Sequence, residues 1–230
     1  MCGRYTLRTP MTVLAQQFLF ELDASLEGSG PRYNIAPTQD VAAVRIREAG
    51  GKRELAFFHW GLIPPWAKDA KIAYSTINAR ADTVAAKPAF RAAFKKRRCL
   101  VLADGFYEWQ RSGKTKLPFL YEVDGGKPFA LAGLWESWRG PEKGDGPPLE
   151  SCALITTDAN ELASQIHDRM PVILDAADYD AWLDPENQDR DGLEALLAPF
   201  PAERMTARAV STVVNNARND GSECVELRST

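Results

Sequence analysis

Apolar positions change their spacing along the chain, and the changes mark the elements. Met11, Leu14, Phe18 and Leu22 recur at intervals of three and four, which predicts a first helix capped by Thr9 with Pro10 in its first turn. Gly, Pro and small polar residues then fill a loop, and two strand-like runs flank Gly50-Gly51 as a hairpin over 40–62. Pro64-Pro65 forbids a ladder in the next stretch. Residues 82–98 have helical character broken at Pro88, which predicts two short helices. Strands crowd together in "CLVLADGFYEWQ", "LPFLYEV", "KPFALAGLWESW" and "SCALITT", with a surface loop "RGPEKGDGPP" ahead of the last. A short helix capped by Asp158, a strand "MPVIL", helices at "AADYDAWL" and "GLEALLAPF", and closing strands "MTARAV" and "CVELRS" complete the pattern. Strands in blocks, without strict alternation with helices, predict an α+β fold. We expect one domain over 1–230, with a mainly antiparallel, barrel-like core surrounded by helices.

Composition adds little to this picture: 45% hydrophobic residues, ten Phe and six Trp supply an ordinary core. No run is long enough to span a bilayer and no signal peptide is visible, so a cytoplasmic protein without membrane partners is expected. Four cysteines, at 2, 99, 152 and 224, form no CxxC pair, which fits a reduced compartment and no structural zinc.

Charge changes the picture more. The net charge is −3, but Asp175–Glu194 holds eight acids and one base, leaving +4 on the remainder. "RAAFKKRR", Arg91–Arg98, holds five bases and no acid. An acidic and a basic lobe therefore share one fold, each readable as a solvated helix face.

Four residues are candidates for chemistry. Cys2 directly follows the initiator Met, and removal of Met1 would leave a terminal amine and a thiol on adjacent carbons. Glu108 lies among Phe106, Tyr107 and Trp109 and shares a strand face with Phe106; burial there would raise its pKa toward neutrality. His167 sits at a helix-to-strand junction and is one of two histidines, the other being His59 in mid-strand. Asn34 precedes a Pro-containing turn, where it either supports its own turn or orients the terminus. Arg4, Asn78 and Arg80 are candidate phosphate ligands, and Trp66 a candidate platform for stacking a base.

Taken together, "MCGRY", "YNIAPTQ", "WGLIPPWA", "INAR", "RCLVLADGFYEW", "GLWESW", "TTDAN", "HDRMPVIL" and "VNNARNDG" resemble the SOS response-associated peptidase family of abasic-site processing proteins. The matching segments run over 1–221, and "MCGRY" with "GFYEW" and "HDRMP" in that order is specific. Asp82 stands where the family usually has Glu, and Leu102 where a proline is common. The acidic segment lies outside the motifs.

The resemblance implies a protein that recognises abasic single-stranded DNA and links to it covalently through Cys2, acting as a monomer and without a metal or other cofactor. It maps the catalytic set onto Cys2, Asn34, Glu108 and His167, and the DNA contacts onto Arg4, Trp66, Asn78 and Arg80. The amine would condense with the sugar's aldehyde in the manner of a Schiff-base lyase, and the thiol would close the imine to a thiazolidine. Glu108 would move protons, His167 would promote sugar opening and adduct reversal, and Asn34 would hold the amine. The peptidase label would describe removal of the residue ahead of Cys2. Two other classes remain open. An N-terminal-nucleophile hydrolase such as a glutamine amidotransferase also begins with Cys. A plain single-strand binding module would need no Cys2 at all.

Overall fold

The computed structural model describes residues 2–113, 115–140 and 146–228. Its centre is a closed five-stranded barrel. The predicted hairpin is present as β3 (Asp40–Arg45) and β4 (Glu54–Trp60), turning through Gly50 at φ +69°. On one side β3 pairs with β6 (Arg98–Ala103), β6 with β9 (Phe129–Trp138), and β9 with β10 (Leu149–Asp158), all antiparallel. β10 runs parallel to β4 and so closes the ring. Trp60, Phe58, Cys99, Leu131 and Cys152 are buried in the continuous core around it.

A second sheet carries, in spatial order, β13 (Met205–Ala209), β8 (Thr115–Val123), β7 (Gly105–Ser112), β1 (Tyr5–Leu7) and β2 (Arg32–Ile35). The expected α+β fold with a mainly antiparallel, barrel-like core is therefore present. Around it stand α1 (Met11–Phe18), α2 (Arg91–Lys96), α3 (Tyr179–Leu183) and α4 (Arg190–Ala195). Among the described residues no helix is long and apolar enough to cross a membrane.

"CLVLADGFYEWQ", read from the sequence as one strand segment, is two strands: β6 belongs to the barrel and β7 to the second sheet. The transition is made at Asp104-Gly105. A Cβ at Gly105 would sit 2.9 Å from both Leu120 Cδ1 and Thr6 Oγ1, so only glycine lets the strands approach there. The buried Asp104 carboxylate accepts from Thr6 Oγ1 at 2.6 Å, Thr9 N at 2.8 Å, Thr9 Oγ1 at 2.9 Å and Arg8 Nε at 3.0 Å. These bonds offset the cost of burying its charge and fix the path of the chain leading out of β1.

Several boundaries differ from expectation. Thr9 bonds Asp104 rather than capping α1, whose N-cap is Pro10 and whose end is Leu19 at φ +58°. Residues 82–87 form turns and a bend, and only Arg91–Lys96 of this stretch is helical, as α2. The turn Ala163–Gln165 is 3-10, and Asn160 Oδ1 accepts from Ala163 N at 2.9 Å, while Asp158 is taken by Arg169. "MPVIL" splits into β11 (Arg169–Pro171) and β12 (Ile173–Leu174). Of the closing strand expected at "CVELRS", Cys224 and Val225 end a 3-10 turn and Leu227 makes one isolated bridge to Val210, while Ser229 lies outside the described residues. The loop 139–148 falls partly outside the described residues.

The basic and acidic segments meet. Arg98, buried, donates from Nε to Trp182 O at 2.6 Å and from Nη2 to Asp184 O. The acidic segment is anchored by Tyr179, Trp182 and Leu183, all buried, and not only solvated.

Candidate active site

The amino-terminal segment enters the molecule between the two sheets. Tyr5 pairs with Ile35 of β2 and Phe106 of β7, so Cys2–Arg4 are delivered to the edge where β7 carries Glu108. Cys2 is fully buried, and Asn78 Nδ2 donates to its carbonyl at 2.9 Å. Asn78 begins β5 (Asn78–Arg80), which lies parallel to Leu154–Thr156 of β10. β11 pairs with the end of the same strand, Asp158 opposite Arg169. One barrel strand thus positions both "INAR" and "HDRMP".

Gly3, Arg4, Glu108, Trp109, Arg111, Thr115, Lys116, His167 and Asn215 line a cleft of about 850 Å³. Glu108 is 4% exposed, on the β7 face that carries Phe106, whose ring stacks on Tyr121 at 4.9 Å. Burial raises its carboxyl to about 7, with the amino-terminal positive charge opposing. Burial likewise pushes the Cys2 thiol well up, and the Glu108 charge adds to this. His167 is lowered, first by burial and next by the amino-terminal charge. A carboxyl near half-protonation and a neutral imidazole therefore share the cleft, and a neutral thiol lies buried within electrostatic reach of the carboxyl.

Asn34 is buried, and its amide is bonded to Arg4 and to the 214–219 segment. Its Oδ1 accepts from Arg4 Nη1 at 2.8 Å, and its Nδ2 faces the carbonyls of Val214, Asn216 and Asn219 at 3.2, 3.1 and 2.7 Å. Arg4 also donates to Val214 O at 2.9 Å and stands over the Trp109 ring at 5.7 Å. Asp220 locks the arrangement: its carboxylate accepts from the backbone N–H of Tyr33 at 2.6 Å and of Asn34 at 2.7 Å. "VNNARNDG" is thereby a latch on β2, and the Asn34 side chain joins it to Arg4.

Of the candidates, Arg4, Glu108 and His167 line the cleft, and Cys2, Asn34, Trp66, Asn78 and Arg80 do not. Arg80 is exposed and holds Asp82 through Nε at 3.1 Å and Nη2 at 2.6 Å, so the residue that departs from the family pattern is its counter-ion. Trp66 is 59% exposed on a loop pinned by Trp138 Nε1, which donates to Ala67 O at 2.9 Å. Removal of Met1, expected from the sequence, concerns a residue outside the described ones.

Arg111, Thr115 and Lys116 of the cleft lining lie outside the motifs, whereas Asn215 belongs to "VNNARNDG". Arg111 and Lys116 are direct cross-strand partners in the β7–β8 ladder, and Asn215 Oδ1 accepts from Trp109 Nε1 at 2.7 Å. Like charges facing across a ladder cost stability, and both side chains are exposed at the cleft. The signal in the sequence is their symmetric placement about the pair Gly113-Lys114.

Comparison with known proteins bears on this site. The family described as SOS response associated peptidase matches residues 1–217. Abasic site processing protein YoqW of Bacillus subtilis is 46% identical over 229 residues, covering 98% of this chain and 99% of that protein. Abasic site processing protein HMCES of Xenopus tropicalis is 39% identical over 85% of this chain and 65% of its own length. A crystal structure of a protein from Bacteroides thetaiotaomicron superposes with a TM-score of 0.87 at 28% identity, covering 99% of this chain and all of that one.

Proposed function

The chain belongs to the SOS response associated peptidase family, and from that premise we propose that it captures abasic sites in single-stranded DNA as a covalent adduct of Cys2. The curated relatives are named for processing abasic sites. The observation that carries the reading is that Glu108 and His167 line one cleft with Gly3, Arg4, Arg111 and Lys116, while Cys2 lies buried next to Gly3 and within electrostatic reach of Glu108.

An abasic deoxyribose equilibrates with an open-chain aldehyde. Once Met1 is removed, the Cys2 α-amine is the best partner for it, because its reference pKa of about 7.7–8.0 leaves part of it neutral at pH 7. The nitrogen adds to the aldehyde carbon, and Glu108 supplies the proton with which hydroxide leaves as water, giving an iminium. The Cys2 sulfur then adds to the iminium carbon and its proton returns to the Glu108 carboxylate. The product is a thiazolidine, a saturated N,S-acetal that cannot assist β-elimination of the 3′ phosphate. Closure is intramolecular and gains the effective molarity of a tethered nucleophile. His167 assists opening of the sugar and the reverse reaction.

Glu108 changes protonation most readily where both steps need it, near pH 7. The neutral thiol supports this reading over an amide hydrolase. A cysteine hydrolase stabilises its thiolate, whereas here burial and the Glu108 charge both oppose ionisation. Asn78 fixes the Cys2 carbonyl, Asn34 fixes Arg4, the Arg111–Lys116 pair takes a phosphate flanking the lesion, and Trp66 stacks a base of the single strand. Bound to DNA, the protein would be associated with the nucleoid.

The test is to incubate the mature protein with a single-stranded oligonucleotide bearing one abasic site and, separately, with glutamine. A band retarded on a denaturing gel, lost in Cys2→Ala, supports the proposal. Ammonia release from glutamine without such a band contradicts it.

A further inference from the structure

The His167 ring presents Nδ1 to two partners of opposite character. The Arg169 backbone N–H donates to it at 3.0 Å, and Asp168 Oδ1 lies 2.9 Å from it. One nitrogen cannot satisfy both. Accepting from Arg169 requires a lone pair on Nδ1 and so places the neutral ring's proton on Nε2. Bonding to Asp168 requires a proton on Nδ1, which leaves Nε2 with a lone pair or makes the ring an imidazolium.

The two partners differ in freedom. The Arg169 donor is fixed: Ala159 N donates to Asp168 O at 3.0 Å, and the Arg169 guanidinium donates to Thr156 O at 2.5 Å and Asp158 Oδ1 at 3.1 Å. His167 itself is tethered by its N–H to Ala163 O at 3.0 Å. The Asp168 carboxylate is 88% exposed and follows the ring's charge at little cost.

Resting on the proposed reaction, we infer that Asp168 is the positioning residue that switches His167 into its acid–base form. With Nδ1 facing Arg169, the ring can only donate from Nε2. With Nδ1–H held by Asp168, Nε2 takes the proton of the sugar's C1′ hydroxyl as the C1′–O4′ bond breaks. The imidazolium so formed returns that proton to O4′, and Asp168 stabilises it in between. The arrangement resembles the carboxylate that orients the histidine of a hydrolytic triad. Other charges facing the ring come from the amino terminus and from Arg111 of β7, both of which disfavour the imidazolium. Glu108, Arg4 and Lys116 stand in the same cleft wall. Burial of the ring works in the same direction as the cations, so Asp168 is the group that restores the proton.

The experiment is a histidine-detected NMR titration of the full chain without DNA, where two histidines make assignment direct and His59 serves as the internal reference. Asp168→Asn is expected to move the His167 midpoint down by roughly half a pH unit, the scale of an exposed ion pair, and to shift the neutral ring toward the Nε2–H tautomer. Asp168→Glu restores both, and 1 M salt reduces the difference between wild type and Asp168→Asn. An unchanged His167 midpoint and tautomer ratio in Asp168→Asn overturns the inference. With an abasic single strand, Asp168→Asn lowers the rates of adduct formation and reversal roughly threefold while the affinity for intact strand stays the same. Unchanged rates also overturn the inference. Should wild type form no adduct while the NMR response holds, the proposed reaction fails and the coupling of Asp168 to His167 stands.

Discussion

Asn78 Nδ2 donates a 2.9 Å hydrogen bond to the carbonyl of Cys2, tying the terminal residue to the strand that lies along β10. A flexible terminus would have to pay the entropy of ordering with each encounter, and this bond removes part of that cost. Asn78→Ala is predicted to slow adduct formation roughly tenfold, from loss of a bond worth about 1 kcal/mol together with looser placement. Affinity for an intact single strand, measured by fluorescence anisotropy, should stay unchanged. A loss of affinity with an unchanged rate would make Asn78 a DNA ligand only.

Glu108 carries the pH dependence. Burial raises its carboxyl from 4.5 to about 7, so the folded state binds the proton more tightly than the unfolded chain. Stability from this group is therefore complete below about pH 4.5 and falls as pH rises through about 7. Glu108→Gln is predicted to be more stable than wild type at pH 8 by up to about 3 kcal/mol, and equal to it at pH 4, by chemical denaturation. The same variant should form adduct at least about a hundredfold more slowly. A stabilised but dead variant separates the chemical role from the structural one.

These two residues differ in how far the sequence reveals them. Glu108 is legible because a carboxyl between Phe106, Tyr107 and Trp109 breaks an alternation that otherwise reads as core. The contact of Asn78 with Cys2 spans 76 positions, and nothing local encodes it. The hairpin, the long strands and the buried face of α1 follow from periodicity, which is a local property. The change of sheet at Asp104-Gly105 does not, because it depends on contacts with Thr6, Arg8 and Thr9, far away in the sequence. The Arg111–Lys116 pair escaped for a related reason. Only the register of the hairpin shows that the two charges face each other.

Asn34 is predicted to matter for the latch. Its amide faces three carbonyls of the 214–219 segment and holds Arg4. Asn34→Ala leaves these buried groups unpaired and should cost about 2–4 kcal/mol, read as a lower Tm. Asn34→Asp retains the Arg4 contact but turns a carboxylate toward the carbonyls, so it should be no more stable than Asn34→Ala. Recovery of wild-type Tm in Asn34→Asp would mean that Arg4 alone is what Asn34 serves.

Trp66 is held outward by a loop whose own core is Ile63, Ala67 and Ala73. Because its ring contributes little to that core, Trp66→Ala should leave Tm within about 1 °C, consistent with a surface change of under 0.5 kcal/mol. Loss of one stacked base, at about 1–3 kcal/mol, should weaken binding of an intact single strand at least fivefold. Unchanged affinity would place the strand elsewhere on the surface.

Intact mass spectrometry of the purified protein, followed by peptide mapping after exposure to an abasic single strand, tests the central claim most directly. The account predicts a species lacking Met1 that gains the mass of the oligonucleotide less one water, with the bond on Cys2 and stable without reductant. An adduct on any other residue, or full conversion in protein that retains Met1, would contradict it.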